Sequence, residues 1–185
     1  MPRDVSWKQE IALAVGQDTL TKDIDDVKVR GVYAGIVAPD FEATTLAGKP
    51  FRLAELRGKV VLLDFWATWC APCVAELPNV RKLHDQYSRD GLVVVGISFD
   101  RNADAARAFV ADEHLDWTQI FAEKADKSPL ADIYGVSAIP ATFLIGPDGK
   151  VIDRDLRGEQ LRDATQRAVE KLKKSRHLTS MHEAP

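Results

Sequence analysis

Residues 59–73 read KVVLLDFWATWCAPC, and the fold follows from that stretch. Its first half, 59–66, is an almost unbroken apolar run rich in branched side chains. Such a run is expected of a strand buried on both faces in a mostly parallel sheet. A helix is predicted over 72–87, with Val74, Leu77, Val80, Leu83 and Tyr87 along one side. Pro72 suits the first turn of that helix, where a missing N–H costs nothing. Cys70 then stands at the helix N-terminus, whose unpaired N–H groups and dipole favour a thiolate. A thiolate is the species that attacks disulfides. Cys73 lies one turn further in and is more shielded.

The flanks alternate strand and helix signals. Phe41 to Thr45 alternates and passes through Leu46-Ala47-Gly48-Lys49 to Phe51-Arg52-Leu53, a β-hairpin. A second buried strand is expected over 92–99, LVVVGISF, then a helix capped by Asn102 or Asp104 and running through Phe109 and Val110. A short strand over 117–121 and a helical turn over 130–134 follow. Strands over 142–145 and 151–153 flank the turn Gly146-Pro147-Asp148-Gly149 and form a second hairpin. An amphipathic helix over 158–174 carries Leu161, Ala164, Ala168 and Leu172. The alternation predicts an α/β fold with helices on both faces of one sheet. Residues 1–36 read as an arm or the remnant of a preceding segment, with helical turns at 11–15 and a weak strand over 23–33. Residues 37–174 read as the domain, and 175–185 as a flexible tail without periodicity.

Composition narrows the chemistry. The 185 residues include only two cysteines, too few for a disulfide-stapled scaffold. A structural zinc needs about four ligands at paired spacings, and no second pair exists. Val74 stands where haem attachment needs a histidine. A purely structural bond across four residues would gain only about 2 kcal/mol of loop entropy. Two unpaired core thiols would not call for Pro72. A redox pair fits the strand-then-helix context best. The net charge of −3 shows no basic excess for nucleic acid. No apolar run approaches the roughly 20 residues of a membrane helix. The first 18 residues hold one short apolar patch among early acids and do not read as a signal peptide.

Several motifs converge on one family: Ala38-Pro39-Asp40-Phe41, Gly58-Lys59-Val60-Val61, Phe65-Trp66-Ala67-Thr68-Trp69-Cys70, Glu76-Leu77-Pro78 and Ile139-Pro140. Over residues 35–172 the chain resembles the thioredoxin superfamily, and within it the TlpA/ResA-like branch of thiol–disulfide oxidoreductases. The resemblance implies a thioredoxin-like fold, a central mixed sheet with helices on both faces plus the N-terminal hairpin. It implies Cys70 and Cys73 as the redox pair and no cofactor beyond their bond. It implies a cis peptide before Pro140, with Ile139, Pro140, Trp69, Ala71 and Pro72 forming the surface that meets substrate. The implied partners are protein thiols and disulfides, among them cytochrome c apoproteins or other secreted proteins, with an upstream dithiol donor. An extracytoplasmic or periplasmic location and a monomer follow from the same resemblance.

Two carboxylates carry competing readings. Asp64 sits in an apolar strand, where desolvation would raise its pKa. The resemblance makes it the proton acceptor for Cys73, while the bland reading is a strand-end Asp facing solvent. Glu76 lies three residues after Cys73 on one helix face. The resemblance places it beside the cysteine pocket, and the bland reading is an exposed helix Glu. Many members of the branch have an apolar residue in place of Asp64, so either acid or both would carry the proton. Pro78 is expected to kink its helix. One of Trp66 and Trp69 is expected in the core and the other at the rim. His84 and His114 read as surface or rim residues. Two other functions compete. A peroxiredoxin shares the APDFEATTLAG opening but needs Pro-x-x-x-Thr-x-x-Cys, and Leu63 and Ala67 occupy the Pro and Thr positions. A non-enzymatic binding module would have no need of the intact Cys pair, Pro72 and Ile139-Pro140.

Overall fold

The computed structural model describes residues 32–122 and 128–182. The predicted helical turns at 11–15 and most of the strand over 23–33 lie outside the described residues. The first element is the hairpin of β1 (Glu42–Thr44) and β2 (Pro50–Arg52), paired antiparallel. Then come β3 (Val60–Trp66), α1 (Ala71–Tyr87), β4 (Leu92–Ser98), α2 (Ala103–Asp112) and β5 (Thr118–Phe121). The chain ends with α3 (Pro129–Tyr134), β6 (Ala141–Ile145), β7 (Val151–Arg154) and α4 (Gly158–His182).

Five strands form one mixed sheet in the order β5-β4-β3-β6-β7. All seven residues of β3 are buried, because the strand is central and covered on both faces. It pairs parallel with β4, Asp64 opposite Gly96, and antiparallel with β6, Asp64 opposite Thr142. Alternation along β3 sends Asp64 and Phe65 to opposite faces. On its face Phe65 meets Phe99, Tyr134 and Phe143, with ring centroids 5.6–5.8 Å apart. Elsewhere α1 packs on α4. The predicted core positions Leu77, Val80, Leu83 and Tyr87 of α1 are buried, as are Leu161, Ala164, Ala168 and Leu172 of α4.

The caps follow the residue chemistry. Asn102 accepts from the Asp104 N–H at 2.7 Å and starts α2. Ser128 does the same for α3 through the Leu130 N–H, and Gly135 closes it in a left-handed conformation. Pro78 lies inside α1, which nonetheless runs to Tyr87.

Both outer edges of the sheet are covered. Along β7, Gly35 N–H donates to Val151 O at 2.7 Å and Val151 N–H to Ile36 O at 2.8 Å. Beyond β5, Leu46 N–H donates to Gln119 O at 2.7 Å, so the hairpin β1–β2 hangs on that edge. Uncovered edges invite pairing with other chains, and both edges are engaged at these positions.

The tail differs from its expectation. Helix α4 continues to His182, where the sequence reading ended it at Lys174 and made 175–185 a flexible tail. The helix is tethered from outside on either side of that point. Lys173 Nζ lies 2.9 Å from Asp90, and Arg176 Nη2 donates to Gly58 O at 2.9 Å. Periodicity of apolar residues gave no sign of such polar anchors. His84 is half-buried, its ring 5.5 Å from that of Trp117, while His114 is exposed with φ 50°.

Gly96 is a close-approach position. A Cβ there would fall 2.1 Å from Oε1 of Gln119, the atom that accepts from Trp66 Nε1 at 3.1 Å. Gly96→Ala is therefore expected to displace Gln119, orphan the buried indole N–H and destabilise the fold by about 1–3 kcal/mol. Urea unfolding checks this, and an unchanged midpoint would contradict it.

Candidate active site

The site grows from the end of β3. Trp66 is the last residue of the strand, buried and tied to Gln119. A turn follows in which Cys70 N–H donates to Ala67 O at 3.1 Å. Helix α1 begins at Ala71 with Cys70 as its N-cap and Pro72 in its first turn. The Cys70 Sγ accepts from the Cys73 N–H at 3.3 Å. The sulfur thus takes one of the N–H groups that a helix start leaves without a partner. Cys70 and Cys73 are joined by a disulfide, with their Cα atoms 5.2 Å apart. Both are buried, yet their neighbours are not: Ala71 and Pro72 are exposed, and Trp69 is 63% exposed. The two tryptophans divide as expected, Trp66 in the core and Trp69 on the rim.

Pro140 precedes β6, and its bond to Ile139 is cis. Since Ala141 pairs with Phe65, the register sets Pro140 at the end of β3 from which the cysteine loop departs. Pro140 is buried and Ile139 half-buried. The Pro140 carbonyl accepts from Arg157 Nη2 at 2.8 Å. Asp155 N–H donates to Thr142 O at 2.7 Å, and Thr142 Oγ1 donates to Leu156 O at 2.9 Å. The corner 155–158 is therefore stitched to the strand that carries the cis bond. Residue spacing gave no hint of this.

Asp64 is buried, 5% exposed, inside β3. Burial pushes its carboxyl up to about 7, and the charge of Glu76 adds to the rise. The bland reading, a strand-end Asp facing solvent, fails on that burial. Glu76 is half-buried, and its Oε1 accepts from the Gly158 N–H at 2.8 Å. The bland reading of Glu76 fails as well, because this acid caps the start of α4 from a neighbouring helix. Asp64 and Glu76 are thus brought into one electrostatic unit. Among the described residues no group of three or more His, Cys, Asp or Glu could hold a metal.

One residue absent from the sequence expectations stands out. Asp100, 2% exposed, follows β4 and accepts from the loop before Cys70. The one sequence signal that could have found it is a lone acid directly after the buried run LVVVGISF.

The comparisons with known proteins agree with this geometry. A family model described as the AhpC/TSA family matches residues 34–154. The thiol-disulfide oxidoreductase ResA of Bacillus thuringiensis is 35% identical over 138 residues, 75% of this chain and 78% of the relative. The thioredoxin domain of a thiol-disulfide oxidoreductase from Bacteroides vulgatus superposes with a TM-score of 0.70 at 28% identity, covering 75% of this chain and 99% of that one. A secreted thiol-disulfide isomerase from Corynebacterium glutamicum superposes with a TM-score of 0.64 at 26% identity, covering 72% and 85%.

The raised Asp64 carboxyl has a pH signature. A carboxyl near 7 in the fold and near 3.8 unfolded binds its proton more tightly in the native state. Its stabilising contribution is whole below pH about 4 and is lost as pH rises through about 7. Asp64→Asn in the oxidised protein is therefore expected to gain a few kcal/mol over wild type at pH 8.5 and less than half as much at pH 5. Denaturant titrations at the two pH values check it, and equal differences would contradict it. Glu76→Gln keeps the acceptor for Gly158 but removes the charge. It should lower the Asp64 midpoint in a carboxylate NMR titration while leaving it above an ordinary aspartate.

Proposed function

The chain belongs to the AhpC/TSA family and is a thiol–disulfide oxidoreductase, and from that premise we propose how its residues divide the work. Cys70 is the attacking thiolate, Cys73 the resolving thiol and Asp64 the proton acceptor, with Glu76 setting the charge beside Asp64. The observation that carries this reading is the Cys70–Cys73 pair at the start of α1, fed by a strand that buries a carboxyl raised to about 7.

The reduced protein attacks through Cys70. Its thiolate forms a bond to one sulfur of a partner disulfide, and the other partner sulfur leaves as a thiolate and takes up a proton. Cys73 then loses its proton to Asp64 and attacks the Cys70 sulfur. The second partner thiolate departs, and the Cys70–Cys73 bond is complete. Two electrons have passed from the protein to the partner. An acceptor near 7 suits the second step, since it is largely unprotonated just above neutrality yet releases its proton readily. An upstream dithiol returns the pair to its reduced form by the same exchange.

The surface for the partner consists of Trp69, Ala71, Pro72, Ile139 and Pro140. Three of these are exposed beside buried cysteines, which favours approach of an extended peptide over a free small thiol. Pro140 lacks an N–H, so the Ile139 backbone is the part of that loop able to pair with such a strand. Partners are protein thiols and disulfides, and the resemblance to the ResA branch favours reduction of secreted proteins such as cytochrome c apoproteins. A solved relative described as secreted supports an extracytoplasmic site of action. The exchange unit is residues 37–174 acting as a monomer, with 1–36 as an arm. No cofactor enters the steps. A peroxidase reading gains no support, since Leu63 and Ala67 stand where that chemistry needs Pro and Thr.

Trapping tests the assignment. Cys73→Ser is expected to accumulate a mixed disulfide with a scrambled protein substrate, and Cys70→Ser to accumulate none, as read on non-reducing gels. The reverse pattern would exchange the two roles.

A further inference from the structure

The loop between β3 and α1 has little backbone support of its own. Its one internal bond is the turn from Cys70 N–H to Ala67 O. The next residue, Thr68, is held instead by a side chain from another strand. Its N–H lies 3.1 and 3.3 Å from the two carboxylate oxygens of Asp100, and its hydroxyl donates to Oδ1 at 2.6 Å. Asp100 is itself fixed. Its Oδ2 accepts from Ser98 Oγ at 2.8 Å, and its N–H donates to the same Oγ at 3.1 Å. Ser98 is fully buried and Asp100 is 2% exposed. The two strand ends are locked together by Phe99 N–H donating to Trp66 O at 2.7 Å.

We propose that Asp100 is a positioning residue for the redox pair, clamping Thr68 so that Cys70 keeps its sulfur on the N-terminus of α1. The proposal rests on reading Cys70 as the attacking thiolate. Hydrogen bonds to a carboxylate are about twice as strong as neutral ones, and a buried setting strengthens them further. Among the described residues all three donors to the Asp100 carboxylate come from Thr68 and Ser98, so it joins the cysteine loop to the end of β4. Cys70 lies two residues beyond the clamp, and the bond its sulfur accepts from Cys73 N–H depends on where residue 70 sits. A helix terminus stabilises a charge only within its first turn, so a small drift of the sulfur weakens that effect. Trp69 rides on the same loop, so the clamp also sets the rim beside the sulfur.

The test uses the Cys73→Ser background. Cys70 is then the chain's one thiol, so its titration can be read whether or not it attacks first. The rate of iodoacetamide alkylation is followed against pH. Thr68→Val keeps the shape and removes the hydroxyl donor. It is expected to raise the alkylation midpoint and to slow the reaction about 3- to 10-fold below it, the scale of one charge-assisted hydrogen bond lost in part. Thr68→Ser restores the donor and should behave as the parent. With Asp100→Asn already in place, the Thr68→Val effect should shrink, because the remaining amide oxygen accepts without the charge that strengthened the bond. An unchanged midpoint for Thr68→Val would overturn the proposal, even if its melting temperature fell. So would a Thr68→Val effect undiminished by Asp100→Asn. Failure of the Cys70 assignment looks different: the trapping pattern reverses while this titration is still read.

Discussion

Everything at the reactive end depends on β3 being held on both sides. Its backbone is bonded to parallel β4 and antiparallel β6, and all seven of its residues are buried. Each fully buried aliphatic or aromatic side chain there contributes about 1.5–3 kcal/mol of transfer free energy. A strand anchored in this way cannot slide, since a one-residue slip would exchange its two faces. The last fixed point, Trp66, therefore delivers the cysteine turn and the start of α1 to one place. The same register brings Pro140 to that end through the pairing of Ala141 with Phe65.

Into this apolar strand the sequence puts one acid. Asp64 lowers the stability of the fold wherever it is charged, because burial disfavours the carboxylate. Glu76 sharpens the effect and is itself held by the Gly158 N–H. The corner 155–158 that supplies that N–H also holds the Pro140 carbonyl through Arg157. Local destabilisation is thus concentrated where the proposed mechanism puts proton transfer and is surrounded by rigid elements, the arrangement expected of a chemical site.

The sequence revealed the scaffold because its signals were local. KVVLLDFW and LVVVGISF are long buried runs, Gly146-Pro147-Asp148-Gly149 names its own turn, and Asn102 caps the helix it precedes. The Cys70–Cys73 spacing was legible for the same reason, while the cis bond before Pro140 and the part given to Asp64 came only with the family resemblance. What stayed hidden was long-range and polar. The Asp100–Thr68 clamp spans 32 residues, the Glu76–Gly158 bond spans 82 and the Arg176–Gly58 bond spans 118. Periodicity reports which face of an element is apolar, not which distant carbonyl or N–H a side chain reaches. The eight residues by which α4 outruns its predicted end at Lys174 fit this, since Lys173 and Arg176 tether the helix on either side of that end.

Coverage of the sheet edges bears on how a partner can approach. An extended polypeptide seeks unpaired N–H and C=O groups, and the most abundant source in an α/β protein is an open edge strand. Here residues 35–37 occupy the edge of β7, and the hairpin β1–β2 occupies that of β5. On the proposed reading, strand-like pairing falls to the Ile139 backbone, next to a residue with no N–H to compete. Trp69 offers an exposed apolar face at the same end of the sheet. The engaged edges and the proposed surface at Ile139 fit together: an extended chain docking beside Pro140 would lie where β3 delivers the two sulfurs.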